Sequence, residues 1–323
     1  MDIRQLRYLI ALARERHFSR AAEACAVTQP TLSARIRQLE EELGAPLVSR
    51  GQRFHGLTPE GERVLRWARR IVEDWDGLRD DLAVGDGGPE GRLTLGVIPS
   101  ALPVVAPLVG ALRARWPKVR FQILSQASAR IARALEAFEI DAGLTYLDEA
   151  AAPFLTRPLY AERYRLFVAQ DHPLAGRASI GWAEAAAQPL CALTPDMRNR
   201  RIIDAAFAEA GAAPVPEVES NSMIALCALV RTGGFCAALP ERFGDLLGAS
   251  PEAGEGLRAI PLTAPAVSRP VGLATLDREP LPLLVEGLMR AAETVAAGLI
   301  DGADQTIETG DLKSAPPDVT MHR

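Results

Sequence analysis

The pattern of apolar and polar positions divides the chain into three regions. Up to residue 57, apolar residues recur at spacings of three and four, which predicts short helices. From 58 to 85 a single charged helical pattern runs without a proline after Pro59. From residue 92 onward, alternating apolar and polar stretches are separated by helical patterns. This rhythm predicts an α/β region with a parallel, doubly wound sheet.

Three helices are predicted in the first region, and each begins at a polar residue that can cap free N–H groups. Asp2 caps the first helix, with Gln5 in the position that completes a capping box. Ser19 caps the second helix and Thr28 the third. Gly44 ends the third helix, because glycine accepts the left-handed conformation found there.

The third helix has an apolar side and a polar side. Its apolar side, predicted to be buried, consists of Leu32, Ile36, Leu39 and Leu43. The opposite side carries Gln29, Ser33 and Arg37. Glutamine can pair with adenine, and arginine with guanine or phosphate. With the preceding helix and its short turn, this pattern predicts a helix-turn-helix that enters a DNA groove. A solvated helix surface is the alternative.

The net charge supports the DNA interpretation only when it is counted separately for each region of the chain. The whole chain has 36 basic and 41 acidic residues, a net charge of −5, which argues weakly against nucleic acid. Residues 1–57 alone hold nine arginines against six acidic residues, a net charge of +3. The first region is therefore a basic head on an acidic molecule.

Residues 1–61 resemble the DNA-binding region of LysR-type transcriptional regulators. The matching stretch is FSRAAEACAVTQPTLSARIRQLEEELGAPLVSR, followed by LTPEG at 57–61. The resemblance implies a winged helix-turn-helix over residues 1–57. The predicted DNA-binding residues, on the third helix and the wing, are Gln29, Pro30, Thr31, Ser33, Arg35, Arg37, Arg50 and Arg53. Ala34 and Val48 depart from the family pattern, so one DNA contact and the wing packing are expected to differ.

The long charged helix carries the pattern of a coiled-coil seam. Residues at successive spacings of 4, 3, 4, 3 and 4 are Val64, Ala68, Ile71, Trp75, Leu78 and Leu82. A stripe this narrow buries little within one chain, so residues 58–91 are predicted to form a dimerisation helix and a glycine-rich hinge. Packing of the helix on the chain's own second domain is the alternative. The family resemblance implies the same dimer, often assembled into a tetramer.

Residues 92–300 resemble the effector-binding domain of this family, which is similar to two-lobed periplasmic binding proteins of type 2. The predicted lobes are 92–163 with 269–300, and 164–268. Two separate strands, Thr156–Tyr160 and Tyr164–Ala169, are predicted near the crossing between the lobes. Ligands in such sheets bind at the carboxyl ends of strands, in the cleft between the lobes.

Polar segments at predicted helix starts indicate an anion site in that cleft, because helix N-termini favour negative charge. The predicted effector-binding residues are Ser100, Ala101, Ser128, Thr194, Asn221 and Ser222. Ser128 is also predicted to cap its helix, and every hydroxyl in the set has a simple helix cap as its alternative role. Arg198, Arg200 and Arg201 are predicted to lie on a solvated face or at a subunit contact.

Other classes lack support in the sequence. The first residues form no secretory signal, and no apolar run reaches the about 18 residues of a membrane span, so a cytoplasmic protein without membrane contact is expected. The four histidines are scattered and no catalytic or metal-binding motif occurs, which predicts no enzyme, metal or cofactor. A free solute-binding protein is a rival class, but the helix-turn-helix argues against it.

The cysteines are Cys25, Cys191, Cys227 and Cys236. They form no C-x-x-C pair, and buried structural thiols are the favoured interpretation. A redox role for Cys227 and Cys236 is the alternative, because some redox-sensing relatives use two cysteines in lobe two.

Together these features predict a regulator that binds double-stranded promoter DNA as a dimer or tetramer and responds to a small effector, with an anion favoured. RNA polymerase is a further expected partner. Residues 301–323 are polar and are predicted to be a disordered tail.

Overall fold

A computed structural model of the 323-residue chain describes residues 1–50, 54–82, 88–148, 153–246 and 256–301. The predicted contact by Arg53, most of the glycine-rich hinge and the predicted disordered tail from residue 302 onward lie outside these ranges. The side chain of Arg50 is also outside the described part. Within the described ranges, no helix is both long and apolar enough to span a membrane.

The head is a three-helix unit with a small antiparallel hairpin. Its elements are α1 (Ile3–Glu15), α2 (Phe18–Ala24), α3 (Gln29–Leu43), β1 (Val48–Arg50) and β2 (Phe54–Leu57). Small side chains in α2, Ala21 and Ala22, are buried between neighbouring helices. The order of helices and hairpin is that of a winged helix-turn-helix.

Most of the predicted helix boundaries in the head are present. The capping box of α1, the Thr28 cap of α3 and the left-handed Gly44 after α3 are all found. Ser19 does not cap α2: the ring nitrogen Nδ1 of His17 accepts the hydrogen bond from the Ser19 N–H at 3.2 Å. The buried side of α3 ends at Leu39, because Leu43 lies in the last turn and is 43% exposed.

The linker helix α4 (Pro59–Leu82) begins against the head. Leu65 and Ala68 are buried in a cluster with Leu6 and Leu9 of α1. The first half of α4 is therefore part of the head's core, and in its second half Asp76 still pairs with Arg7 of α1.

The effector domain opens with a β-α-β-α-β unit. Its elements are β3 (Gly91–Val97), the 3-10 turn Pro99–Ala101, α5 (Leu102–Arg115), β4 (Val119–Ser125), α6 (Ser128–Glu136) and β5 (Ala142–Tyr146). The remaining strands are β6 (Phe154–Ala169), β7 (Ile180–Gly181), β8 (Cys191–Leu193), β9 (Val218–Ser220), β10 (Ala237–Pro240), β11 (Leu257–Thr263) and β12 (Ser268–Leu276). The remaining helices are α7 (Trp182–Ala185), α8 (Arg198–Glu209), α9 (Met223–Arg231), α10 (Glu241–Leu246) and α11 (Leu283–Asp301).

The main sheet is mixed rather than parallel. Its order is β4-β3-β5-β12-β6-β11-β7, and β10 also pairs with β6. β3 runs parallel to β4 and β5, as the sequence predicts, but β12 and β6 run antiparallel to each other. The reason is connectivity: β6 carries the chain out of lobe one and β12 brings it back.

The two strands predicted near the crossing are one continuous strand, because β6 serves both lobes. Its residues 154–163 pair with β12, and its residues 164–169 pair with β10 and β11. This shared strand places the carboxyl ends of β3, β4 and β5 opposite the start of α8. The resulting arrangement is a two-lobed α/β domain with a cleft between the lobes.

Candidate DNA interface and effector cleft

Helix α3 presents a polar surface because its apolar side is used by the head's core. Leu32, Ile36 and Leu39 are at most 2% exposed. The predicted contacts on this helix that are exposed are Gln29, Pro30, Thr31, Arg35 and Arg37, whereas Ser33 is half-buried. The structure therefore brings six of the eight predicted DNA-binding residues to one helix surface.

The polar groups on this surface differ in their partners. The Thr31 hydroxyl lies 2.8 Å from the Thr28 hydroxyl, and Arg35 donates to Gln38 at 3.0 Å. The side chains of Gln29 and Arg37 form no hydrogen bond or ion pair with another described residue. Gln29 and Arg37 thus offer donors and acceptors that the protein itself does not use.

The wing is positioned by Glu40, which the sequence analysis did not single out. The Glu40 side chain is buried, and its Oε1 accepts hydrogen bonds from the backbone N–H groups of Leu47 at 2.9 Å and Val48 at 3.1 Å. The carboxylate fixes the start of β1 relative to α3, so the wing lies beside the recognition helix. An acidic residue directly after the buried Leu39 was the available sequence signal.

The predicted dimer seam divides into two parts. Ala68 is buried and Val64 packs against the same head cluster, so both are used within the chain. The other four residues are exposed large side chains: Ile71, Trp75, Leu78 and Leu82, at 36%, 46%, 52% and 80%. An apolar stripe of four residues therefore remains on the second half of α4.

The linker helix also contacts the effector domain through a set of charged residues. Arg69 donates to Glu139 at 2.9 Å and to the carbonyl of Ala137 at 3.2 Å. Arg278, which follows β12, pairs with Glu73 at 2.5 Å and with Asp74 at 2.9 Å. We call these residues the linker joint. It connects α4 to lobe one at one end of the neighbouring strands β5 and β12.

Burial changes the chemistry of Glu73 in this joint. Burial raises the pKa of the Glu73 carboxyl to about 7, although the Arg278 guanidinium acts in the opposite direction. One carboxyl oxygen, Oε2, is buried without a hydrogen-bond partner among the described residues. The linker joint therefore contains an acid that titrates near neutral pH.

The effector cleft contains two adjoining cavities of about 80 Å³ and about 10 Å³. Ser128, Tyr146 and Arg198 line both. Ser100 and Asn199 line the smaller one, and Thr145 lines the larger. Because about 10–15 Å³ holds one water molecule, these spaces suit a small ligand.

Two predicted effector residues point hydroxyl groups into buried surroundings. Ser128 occupies the first turn of α6 and is not its cap, because the N-cap position is Ala127, which offers no side-chain bond. The hydroxyl oxygens of Ser128 and Thr194 are buried without a hydrogen-bond partner in the described part of the chain. Ser100 is 1% exposed, and Ala101 beside it is fully buried.

Of the six predicted effector residues, only Ser100 and Ser128 line a cavity, whereas Ala101, Thr194, Asn221 and Ser222 line neither. The Ser222 hydroxyl accepts a hydrogen bond from the backbone N–H of Ala225 at 3.3 Å and so caps α9. Asn221 is exposed. Neither residue lines either cavity, so the structure does not bring them together with Ser100 and Ser128.

The prediction that Arg198 and Arg200 face solvent is wrong. Arg198 is 9% exposed, lies 2.9 Å from Asp148 and sits with its guanidinium 5.0 Å from the centre of the Tyr146 ring. Arg200 bonds to Asp204 and Glu219 and holds the start of α8 in place. Helix periodicity could not show this, because Arg198 is enclosed by lobe one, whereas Arg200 is enclosed by Leu193 and Glu219 of its own lobe.

A buried polar cluster lies beneath the cavities, and it was not predicted. We call it the Glu162 cluster, and its members are Ser100, Tyr146, Glu162, Tyr164 and Asn199. Oε1 of Glu162 accepts hydrogen bonds from the hydroxyls of Tyr146 and Tyr164, the latter at 3.0 Å, and from the Asn199 amide at 3.3 Å. Burial raises the pKa of the Glu162 carboxyl, and the hydrogen bonds only partly oppose this shift.

Three of the four cysteines lie inside lobe two, away from the cavity linings. Burial raises the thiol pKa of Cys191 and Cys236 to about 11 and that of Cys227 to about 12. Thiolates, not thiols, are the reactive form, so these groups are poor nucleophiles at neutral pH. In the described ranges, no group of three or more acidic, histidine or cysteine side chains could hold a metal.

A winged helix-turn-helix, a linker helix and a two-lobed domain with a polar cleft define a ligand-responsive DNA-binding regulator. Residues 3–62 match the family described as bacterial regulatory helix-turn-helix protein, lysR family. Residues 86–297 match the family described as LysR substrate binding domain. The chain therefore belongs to the LysR-type transcriptional regulators. As a member, it is a DNA-binding regulator with an effector-binding domain and not an enzyme.

Individual relatives span nearly the whole chain. The DNA-binding transcriptional dual regulator OxyR of Escherichia coli K12 is 30% identical over 303 residues, which cover 93% of this chain and 98% of that protein. A hydrogen peroxide-inducible genes activator of Haemophilus influenzae is 28% identical over 305 residues, covering 94% and 99%. A full-length OxyR variant from Pseudomonas aeruginosa superposes with a TM-score of 0.73, 28% identity and coverage of 92% and 99%.

Proposed function

We propose that this regulator binds promoter DNA as a homodimer, and as a tetramer built from two dimers, and responds to a small anion in the effector cleft. In this proposal the head is 1–57, the linker 58–91 and the effector domain 92–300. Lobe one is 92–163 with 269–300, and lobe two is 164–268. The observation that carries the effector assignment is the set of uncapped helix starts and unpartnered hydroxyls at the cleft.

DNA reading is assigned to the exposed side of α3 together with the wing. Gln29 and Arg37 have no partner among the described residues, so their side chains can bond to base edges or phosphates without breaking a contact in the protein. Pro30, Thr31, Ser33 and Arg35 surround them, and Arg50 and Arg53 act from the wing. Contact with RNA polymerase at the same promoter completes the proposed partners.

Dimerisation is assigned to the exposed part of the seam, Ile71, Trp75, Leu78 and Leu82. Large apolar side chains at the spacing of a coiled coil gain stability when a second helix covers them. A two-fold dimer also presents two heads, which matches half-sites about one helical turn of DNA apart.

The anion is assigned to the cleft because three kinds of group favour negative charge there. Helices α6 and α8 begin at the cleft without a side-chain cap, so their first N–H groups remain available. The hydroxyl of Ser128, which lines both cavities, and that of Thr194, which follows the lining residue Leu193, are buried and unpartnered in the described structure. Arg198 supplies positive charge at the cavity wall.

Peroxide reaction at a cysteine is a second candidate, because several relatives are hydrogen peroxide-inducible genes activators. The buried, high-pKa thiols of this chain argue against it, since a peroxide-reactive cysteine needs a lowered pKa and access. A reversible ligand in the cleft therefore fits the structure better than oxidation of Cys191, Cys227 or Cys236.

The proposed mechanism follows from strand β6, which both lobes share, and from the linker joint. Ligand binding draws the lobes together and shifts an existing equilibrium between dimer arrangements. The linker joint transmits this shift, because Arg278 and Glu139 of lobe one form ion pairs directly with α4. The heads then change their spacing on DNA. Since the target is genomic DNA, we assign the protein to the cytoplasm of a bacterium.

The test uses the full chain with DNA selected from a random duplex library. Wild-type protein is expected to enrich a two-fold symmetric sequence, and one or more small carboxylates or inorganic anions should raise its melting temperature. Loss of the melting shift in Arg198→Gln, with DNA affinity kept, would support the cleft assignment. A melting shift that is the same in Arg198→Gln would contradict it.

A further inference from the structure

The Glu162 cluster joins the two lobes beneath the effector cavities. Ser100 follows β3 and Tyr146 ends β5, both in lobe one, whereas Asn199 lies in the first turn of α8 in lobe two. Glu162 and Tyr164 lie on β6, where the pairing changes from β12 to β10 and β11. Asn199 donates to Tyr146 at 3.1 Å and to Glu162 at 3.3 Å, so the cluster spans the cleft.

The partners that bond the Glu162 carboxyl are uncharged. They are the tyrosine hydroxyls of Tyr146 and Tyr164 and the amide of Asn199. The second carboxyl oxygen, Oε2, has no hydrogen-bond partner in the described chain, although it is buried. A buried carboxylate without a paired cation is costly, whereas a carboxylic acid at the same place is not.

The two guanidinium groups nearby lie over aromatic rings and form no ion pair with this carboxyl. The Arg198 guanidinium lies over the Tyr146 ring at 5.0 Å, and the Arg242 guanidinium lies over the Tyr160 ring at 4.8 Å. The hydroxyl of Tyr160 is buried and unpartnered in the described part, and the Glu162 carboxyl contributes to the raised pKa of Tyr160. Three tyrosines thus surround the acid, and ionised tyrosine is strongly disfavoured there.

We propose that Glu162 is a specificity-determining residue of the effector cleft: held as a neutral carboxylic acid, it admits an anionic ligand beside Arg198 and makes binding of that anion depend on one proton. The inference rests on the proposed function, in which an anion occupies the cleft. Two negative charges within a few ångströms in a buried site repel each other strongly. An ionised Glu162 would instead favour an amine.

Two consequences can be measured. Binding of an anion stabilises the protonated acid, so the affinity is expected to fall by up to about tenfold per pH unit above the pH at which Glu162 ionises. Replacing Glu162 by glutamine removes the ionisable group but keeps a side chain of similar shape. The affinity of Glu162→Gln for the same anion should therefore be independent of pH.

The experiment uses full-length wild-type protein, Glu162→Gln and the control Glu184→Gln, an acid of lobe two away from the cavities. Acetate, benzoate and citrate are the anionic probes, and ethanolamine and benzylamine are the cationic ones. Calorimetric titrations are made at pH 6 and pH 8. The titrations are extended to pH 10, and we expect wild type and the control to bind a carboxylate more weakly as the pH rises through the ionisation of Glu162, and Glu162→Gln to bind it equally throughout.

Two results would overturn the proposal. One is an equal loss of affinity with rising pH in wild type and Glu162→Gln, and the other is preferential binding of the amines by wild type. If Glu162→Gln does not fold, Tyr164→Phe replaces it. Losing one hydroxyl that stabilises the carboxylate should move the loss of affinity to higher pH, and no movement or the opposite movement contradicts the proposal.

A measurement without ligand separates this proposal from the proposed function. The infrared difference spectrum of wild type minus Glu162→Gln at pH 7 should contain the carbonyl stretch of a protonated carboxylic acid. Only carboxylate bands would overturn the proposal, whatever the ligand. If the acid band is present but no probe binds either protein, the anionic effector is rejected, while the neutral acid in the cleft is supported.

Discussion

The head and the effector domain place their functional groups in opposite surroundings. In the head, five of the groups assigned to DNA stand exposed on α3, and a separate set of residues forms the core beneath them. In the effector domain, Ser100, Glu162 and Asn199 are at most 6% exposed and belong to both the site and the interior. Substitutions in the head should therefore change binding without changing stability, whereas substitutions in the effector domain should change both.

The largest effect is expected from substitutions in the seam, which test whether its exposed apolar side chains form the dimer interface. Changing Ile71 and Leu78 together to lysine should weaken the dimer by about a thousandfold or more, because each buried apolar side chain contributes about 1.5–3 kcal/mol and a two-fold interface loses both copies. Analytical ultracentrifugation of the full chain measures this. The melting temperature of the head should change little.

Trp67 provides a matched control for the seam. It lies on the same helix and is 61% exposed, but it is not part of the seam pattern. Trp67→Lys should remain dimeric at the wild-type concentration. Dimers that persist in the double variant, or dissociate equally in Trp67→Lys, would contradict the assigned interface.

The second test addresses DNA reading. Gln29→Ala combined with Arg37→Ala should lower affinity for the selected duplex by about a hundredfold, since each base-pairing contact contributes about 1–3 kcal/mol. Arg14→Ala, which removes an arginine paired with Glu15 on α1, is the control and should bind like wild type. Fluorescence anisotropy gives the affinities. A large loss of thermal stability in the double variant would mean that these residues are not separate from the core.

The third test addresses Glu73 of the linker joint, a buried acid that pairs with Arg278. In the unfolded chain Glu73 has an ordinary acid pKa, whereas burial raises its folded pKa to about 7. The folded protein therefore binds a proton that the unfolded chain releases, and the free energy of unfolding falls as pH rises from about 4.5 to 7, by on the order of 2 kcal/mol.

Urea unfolding at pH 5, 6, 7 and 8 measures this dependence. Glu73→Gln should lose the part of the pH dependence of the free energy of unfolding that Glu73 contributes. Relative to wild type, the variant should therefore become more stable as pH rises. Asp74 bonds to the same Arg278 guanidinium but is more exposed, and its charge makes the smallest contribution to the raised pKa of Glu73, so Asp74→Asn should keep most of the wild-type dependence. Identical pH curves for wild type and Glu73→Gln would show that the joint does not bury the acid.

The smallest effect is expected at the cysteines. Cys227→Ser and Cys236→Ser should leave the response of the protein to peroxide unchanged, because buried thiols with raised pKa values remain unreactive at neutral pH. Mass spectrometry after peroxide treatment should find these thiols unmodified. A disulfide or sulfenic acid on Cys236 that forms faster than global unfolding would revive a redox role.

Sequence reasoning succeeded where the burial of a side chain follows the periodicity of one element. The spacing of Leu32, Ile36 and Leu39 fixed which side of α3 is buried, and the opposite side then had to carry Gln29 and Arg37. It failed where two elements meet. Leu43 and the first-turn arginines of α8 obey the same periodicity, but their exposure depends on what packs against them.

The cleft shows the same limit more strongly. Ser100 and Ser128 were found because hydroxyls at helix starts have a local signature. Glu162 and Asn199 have none, since they are 37 residues apart and meet only because β6 crosses between the lobes. Glu40 in the head is similar: its acidic side chain became structural because the wing turns back over it.

The sequence by itself determined the class of the protein, the order of its parts and the exposed polar side of α3, because these depend on local spacing and on an ordered motif. Only the tertiary structure decided which half of the seam remains open, that Arg198 enters the cleft and that Glu162 and Glu73 are buried acids. The physical reason is that burial is a property of neighbours distant in sequence, and burial sets both the pKa of an acid and the availability of an apolar surface.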